Sequence, residues 1–147
     1  SLLKQGLNIA LGTDGAASNN DLNMLGEIRS ATFLSKVSTM QATALSAEKV
    51  LQMATINGAK ALGIDHQVGS LEVGKQADLC VLDMDNIECQ PLYHPLSQLV
   101  YAAGRENVSD VWVNGKQLLD NRNLTTINIQ KVKSDTQVWH NKINQYS

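Results

Sequence analysis

Hydrophobic and polar positions change period along this chain, and the changes divide it into three stretches. Residues 7–11, "LNIAL", put Ile9 and Leu11 on one face before Gly12, and so short an apolar run ending at a glycine predicts a strand. The step then lengthens. Leu25, Ile28, Ala31 and Leu34 recur every third residue, which predicts a helix. Asn19, Asn20 or Asp21 can cap it, because their side-chain oxygens accept the free amides of a first turn. β-Branched residues thicken between Val37 and Thr39, and the helix should fade there. Ser46 reads as a second cap, with Glu48 well placed for the helix dipole. Val50, Met53, Ala54, Asn57 and Ala61 follow one helix face, and Gly63 stands where a left-handed terminus closes it.

After Gly63 the helical period is lost. Glycines stand at 69 and 74, and the apolar run 79–82 between Asp78 and Asp83 predicts a buried strand. In "VSDVWVNGKQLLDN", Val111 and Val113 alternate with Trp112. Asn114 and Gly115 then supply the two positive-φ residues of a tight hairpin turn, and the chain returns through residues 116–119. Helical spacing resumes at Ile129, Val132, Thr136, Trp139 and Ile143. The order is an α/β piece, a small β module and a closing helix.

Composition narrows the function. At 147 residues and 43% hydrophobic, the chain can bury a core. A formal charge of -2 without a basic stripe argues against nucleic acid and anionic membrane as partners. No apolar run approaches the roughly 20 residues that cross a bilayer. Cys80 and Cys89 show no CxxC spacing and read as free thiols of a reducing cytoplasm. The triplets beginning at Asn107 and Asn123 match the glycosylation pattern and are read as chance. The chain opens on Ser1 and almost at once on a buried strand, which reads as a fragment of something longer.

The candidate chemistry lies in "GTDGAASNNDL", residues 12–22. A carboxylate just after a strand is either a turn or cap aspartate or a metal ligand, and spacing alone leaves both open. A calcium loop needs oxygen ligands at alternate positions, which Ala16 breaks. The GxxxxGK[ST] and GxGxxG phosphate and dinucleotide patterns are absent. The metal reading has a physical basis. In parallel α/β structures the C-terminal ends of strands converge on the ligand, and a carboxylate there can bind a metal and take a proton from its water. Gly15, Ala16 and Ala17 leave room beside Asp14. Ser18 is a candidate substrate-binding residue at the mouth, with a helix-start serine as the competing reading; Asn19 and Asn20 suit holding the loop. Trp112 and Trp139 read as packing residues, and Lys75 and Arg105 as exposed loop charges.

"GLNIALGTDGAASNNDLNM" resembles the last barrel strand and following loop of the amidohydrolase superfamily, in the branch of 5-methylthioadenosine/S-adenosylhomocysteine deaminases and chlorohydrolases. "ALSAEKVLQMATINGAKALGI", "VGSLEVGKQADLCVLD" and "YHPLSQLVYAAGRENVSDVWVNGKQLL" resemble, in order, its exit helices, the return into its β domain and the last hairpin. The resemblance implies the C-terminal part of a metal-dependent (β/α)8 barrel plus the C-terminal strands of a small β-sandwich domain. Residues 1–63 would be the last barrel strand and exit helices, 64–127 the composite β domain, and 128–147 a closing helix. It implies Asp14 as carboxylate ligand of a divalent metal, usually zinc, and as general base, with a purine nucleoside as substrate and ammonia as product.

The family's other ligands, an HxH pair and two further histidines, have no counterpart here, nor has its acid glutamate. His66, His94 and His140 lie at least 28 positions apart and read as ordinary histidines. The expectation is therefore an inactive portion of a larger aminohydrolase, whose missing N-terminal part is its first partner. The alternatives are a chlorohydrolase or another aromatic-ring hydrolase (guanine, cytosine or triazine), or a non-catalytic assembly module that self-associates through exposed apolar surface.

Overall fold

The computed structural model describes residues 2–145. In chain order its elements are α1 (Met24–Thr39), α2 (Ala47–Ala54), α3 (Ile56–Leu62), β1 (Leu79–Leu82), α4 (Pro95–Tyr101), β2 (Val108–Val113), β3 (Lys116–Asp120), β4 (Asn123–Leu124) and α5 (Ile129–Asn144). Short 3-10 turns occupy Leu2–Gln5, Ile87–Cys89 and Arg105–Asn107. The fold is mixed α/β.

Residues 7–11 form no strand, contrary to the pattern. A strand exists through ladder bonds to a neighbour, and among the described residues no strand lies beside this segment. Its backbone is held by helices instead, as described below.

The cap of α1 is Asn23, whose Oδ1 accepts the Gly26 amide at 3.2 Å. The expected caps come too early. Asn19 Oδ1 takes the Asp21 amide at 3.0 Å, closing a local turn before the helix begins. The other end falls at Thr39, as the β-branched residues foretold, with Met40 left-handed at φ 51°. Ile28 of α1, Val50 of α2 and Val100 of α4 meet as the buried core, flanked by Leu25, Leu45 and Leu99. Leu34, expected on the same face as Ile28, is exposed. The Arg29 guanidinium fastens α1 to the end of α4, donating to Val100 O at 3.2 Å and Ala103 O at 2.6 Å. It thereby satisfies carbonyls near a helix end.

Ser46 caps α2 as expected, accepting the Lys49 amide, and Gly63 closes α3 at φ 71°. The single helix face read between Val50 and Ala61 is, however, two helices. Thr55 departs to φ -132°, ψ -99°, and its hydroxyl bonds back to Leu51 O at 2.7 Å.

The sheet runs in the order β1-β2-β3-β4, with every neighbouring pair antiparallel. The hairpin between β2 and β3 turns at Asn114 (φ 50°) and Gly115 (φ 73°), as read. Asp78 Oδ1 accepts the Asn114 amide at 2.6 Å, and Ala77 O accepts that of Gly115 at 3.1 Å. "QADL" and "VNGK" are thus two halves of one turn. β1 is not the buried strand expected: it is an edge strand, and its two central residues, Cys80 and Val81, are exposed. An apolar cavity of about 440 Å³ separates the helices from the sheet, between Leu25, Leu51 and Leu99 on one side and Leu82, Val108 and Val111 on the other.

Two further expectations are corrected. Lys75 is not an exposed charge: its side chain is 12% exposed, donating to Ser70 Oγ at 2.6 Å and pairing with Glu72 at 3.3 Å. Trp139 is not a packing residue: it is 62% exposed on α5, with the Lys142 ammonium 4.8 Å from its ring. Trp112 is half-buried on β2. The closing helix exists, but none of its residues is buried. Asn107 is 3% exposed, and its amide donates to Asp83 O at 2.9 Å, so it is a structural residue and not a glycan acceptor.

Candidate active site

The segment leading to Asp14 is held from the junction of α2 and α3. In a continuous helix Met53 O would accept the amide of Asn57, four residues on. The departure at Thr55 frees this carbonyl, and Leu11 donates to it at 2.9 Å. Asn57 Nδ2 donates to Ile9 O at 3.0 Å, and Asn8 Nδ2 donates to Asn57 O at 3.0 Å. Three hydrogen bonds therefore tie residues 8–11 to this junction.

Asp14 follows at φ 61°, in the left-handed region that aspartate tolerates better than most residues. It is exposed; Oδ1 accepts the Gly15 amide at 2.6 Å, and the Thr13 hydroxyl donates to its carbonyl at 3.0 Å. The chain then turns at once, with the amides of Ser18 and Asn19 both donating to Gly15 O at 2.9 Å. Ser18 is exposed on the same loop. At its far end the loop is braced by Asn19 Nδ2 on Glu27 Oε1 at 2.8 Å and by an ion pair of Asp21 with Arg105. Arg105 is as exposed as expected, but it joins the loop to the turn before β2.

The four ion pairs join Glu72 to Lys75, Asp21 to Arg105, Asp83 to Arg122 and Asp135 to Lys131, so among the described residues no cation is paired with Asp14. The histidines stay apart: His66 sits in a loop, His94 precedes α4, and His140 lies on α5 beside Asn144. Among the described residues no group of three or more His, Cys, Asp or Glu stands where it could hold a metal. A catalytic zinc takes about three protein ligands. These residues therefore fit one hard, anionic ligand of such a site and not the whole of it.

Sequence reasoning singled out Asp14 and Ser18 but missed Asn57, Glu27 and Arg105. A signal existed for Asn57, a polar residue on an otherwise apolar helix face and followed by Gly58. None existed for Arg105, whose partner is 84 positions away.

The chain belongs to the amidohydrolase family, whose model matches residues 1–118. It is 47% identical over 143 residues to the 5-methylthioadenosine/S-adenosylhomocysteine deaminase of Teredinibacter turnerae, covering 97% of this chain and 32% of that protein. It is 46% identical to the 5'-deoxyadenosine deaminase of Methanosarcina barkeri, covering 92% and 31%. Among solved structures it is similar to a zinc-bound adenosine deaminase from Xanthomonas campestris, at TM-score 0.93 and 47% identity, covering 98% and 33%. It is also similar to a zinc-complexed atrazine chlorohydrolase from Arthrobacter aurescens, at TM-score 0.84 and 29% identity, covering 92% and 30%. The chain spans about a third of the length of the curated relatives it matches.

Proposed function

We propose that the chain is the C-terminal portion of a zinc-dependent aminohydrolase that converts an adenine-type nucleoside, such as 5-methylthioadenosine or S-adenosylhomocysteine, to its hypoxanthine counterpart. The observation that carries the reading is Asp14: an exposed carboxylate, unpaired with any described cation, at the end of a clamped segment and ahead of small residues. The deaminase relatives give it a substrate class. In this reading residues 1–63 are the last strand and exit helices of a (β/α)8 barrel, 64–127 belong to a β domain, and 128–147 close it. The remaining ligands and the acid lie on the rest of the protein.

Zinc, when bound, supplies Lewis acidity that lowers the pKa of a water toward about 7. Asp14 would be one of the residues that hold the metal, and its carboxylate would serve as the proton acceptor for a water activated there. Over the whole reaction the water oxygen would become the ring's new carbonyl oxygen; the proton taken up by Asp14 would pass to the amino group, which leaves as ammonia, and the other water proton would end on the ring nitrogen. Ser18, exposed four residues on, offers a hydroxyl to the substrate.

The test uses the full-length protein. Ammonia release from both nucleosides is expected, and Asp14→Asn is expected to lower kcat by at least about a hundredfold, the scale of a lost general base. Full activity in that variant would remove Asp14 from the mechanism. The second reading is triazine dechlorination, favoured by the chlorohydrolase likeness; the same assay with a chlorotriazine separates it. Identity of 47% to deaminases against 29% to the chlorohydrolase ranks deamination first.

A further inference from the structure

We propose that Asn57, together with the break between α2 and α3, is the positioning element of Asp14. The inference rests on the reading of Asp14 as a metal ligand and goes beyond it, because Asn57 bonds to the segment ahead of Asp14 and not to Asp14 itself.

The argument begins with what a ligand needs. A carboxylate must be held within a fraction of an ångström to grip a cation well. Asp14 has a left-handed backbone, flanked by glycines at 12 and 15, so the loop's own preferences do not fix it. A residue in a sparsely populated conformation persists where its surroundings over-determine it. Downstream, the turn onto Gly15 O and the Asn19–Glu27 bond supply that restraint. Upstream, three bonds to Met53 and Asn57 tie residues 8–11 to the junction of α2 and α3. Asn57 provides two of the three, one through its side-chain donor and one through its carbonyl. The third exists only because the helix breaks at Thr55 and releases Met53 O.

Losing the Asn57 donor leaves Ile9 O without this partner and lets the segment shift along the helices. Misplaced by less than an ångström, Asp14 should grip the cation more weakly and take the proton less well, while substrate contacts made elsewhere persist. In the full-length protein, Asn57→Ala should weaken zinc affinity about tenfold, the scale of a removed outer partner of a ligand. Zinc affinity is read by competition of the metal-free protein with a coloured chelator. It should lower kcat by a similar factor and move KM less than about twofold.

A general scaffold role is excluded by repeating the chelator measurement in an Asp14→Asn background. There Asn57→Ala should change zinc affinity no further, since the ligand it positions is gone; an undiminished second loss would overturn the proposal. If Asn57→Ala does not fold by circular dichroism, Asn8→Ala removes one bond only and carries the test. It should cost about threefold in zinc affinity and kcat, and normal values for both would overturn the proposal. Normal zinc affinity and kcat in Asn57→Ala, with Asp14→Asn impaired, would overturn the positioning role alone. Normal zinc affinity in Asp14→Asn would overturn the ligand reading and this inference with it.

Discussion

Gly69 shows how one residue ties the loop after α3 to the helix itself. At φ 94° only glycine is comfortable, and a Cβ there would stand 2.7 Å from Ala59 Cβ and 3.0 Å from Ile56 Cα. Gly69→Ala combines backbone strain with overpacking against a buried alanine, and should cost about 2 kcal/mol in urea unfolding, the size of other overpacking changes. Asp78→Ala removes the acceptor of the Asn114 amide and should cost about 1 kcal/mol by the same measurement. A residue's chemistry was readable where its neighbours in sequence set it. Asp14 stood out because small residues follow a carboxylate, and Gly115 because asparagine precedes it. Asn57 showed only as a polar residue on an apolar helix face; its role was not legible, because its partners Asn8 and Ile9 lie 49 and 48 positions away, a distance that no local pattern spans.

The β module is held partly by carboxylates that the fold keeps ionised. The Asp85 amide and then Arg122 hold Asp83 below the usual carboxylate range. Ser109 and the Asn121 amide do so for Asp110, and Ser70 and Lys75 for Glu72. A group whose pKa is lower in the folded state binds fewer protons there than when unfolded. Its contribution is present above the unfolded value near 4 and is lost as pH falls through the folded one. Urea midpoints should hold steady at neutral pH and drop below about pH 4. Arg122→Met should make the drop shallower, because it removes one cause of the Asp83 and Asp110 shifts. An unchanged slope would contradict this. Elements were legible to the extent that their signals are local. The Ser46 cap, the Gly63 terminus and the Asn114–Gly115 turn were all correctly read. The strand at 7–11 and the burial of β1 were not, because both depend on which neighbours stand beside them and not on the residues themselves.

The whole molecule exposes more surface than its mass warrants. A compact monomer of 16.0 kDa has about 7,400 Å² of accessible surface, whereas this chain has 10480 Å². The excess, roughly 3,100 Å² by subtraction, is comparable to the total buried in a large obligate interface. It is not polar surface alone: Leu71, Val73, Ile87 and Tyr93 in the loops and Trp139 and Ile143 on α5 are all more than half exposed. Such apolar surface is rarely tolerated by a monomer in water. In our reading the rest of the protein covers it and brings the remaining zinc ligands to Asp14. The 147-residue chain on its own should then behave in two linked ways. In size-exclusion chromatography it should elute as concentration-dependent oligomers, and its zinc should pass wholly to a chelator, since one carboxylate is all the described site offers. A monodisperse monomer that retained zinc would require that this third of the relatives' length be sufficient in itself, and would overturn the shared site. A monomer without zinc would leave Asp14 its role but make the chain an independently folded module, whose exposed face does not drive association.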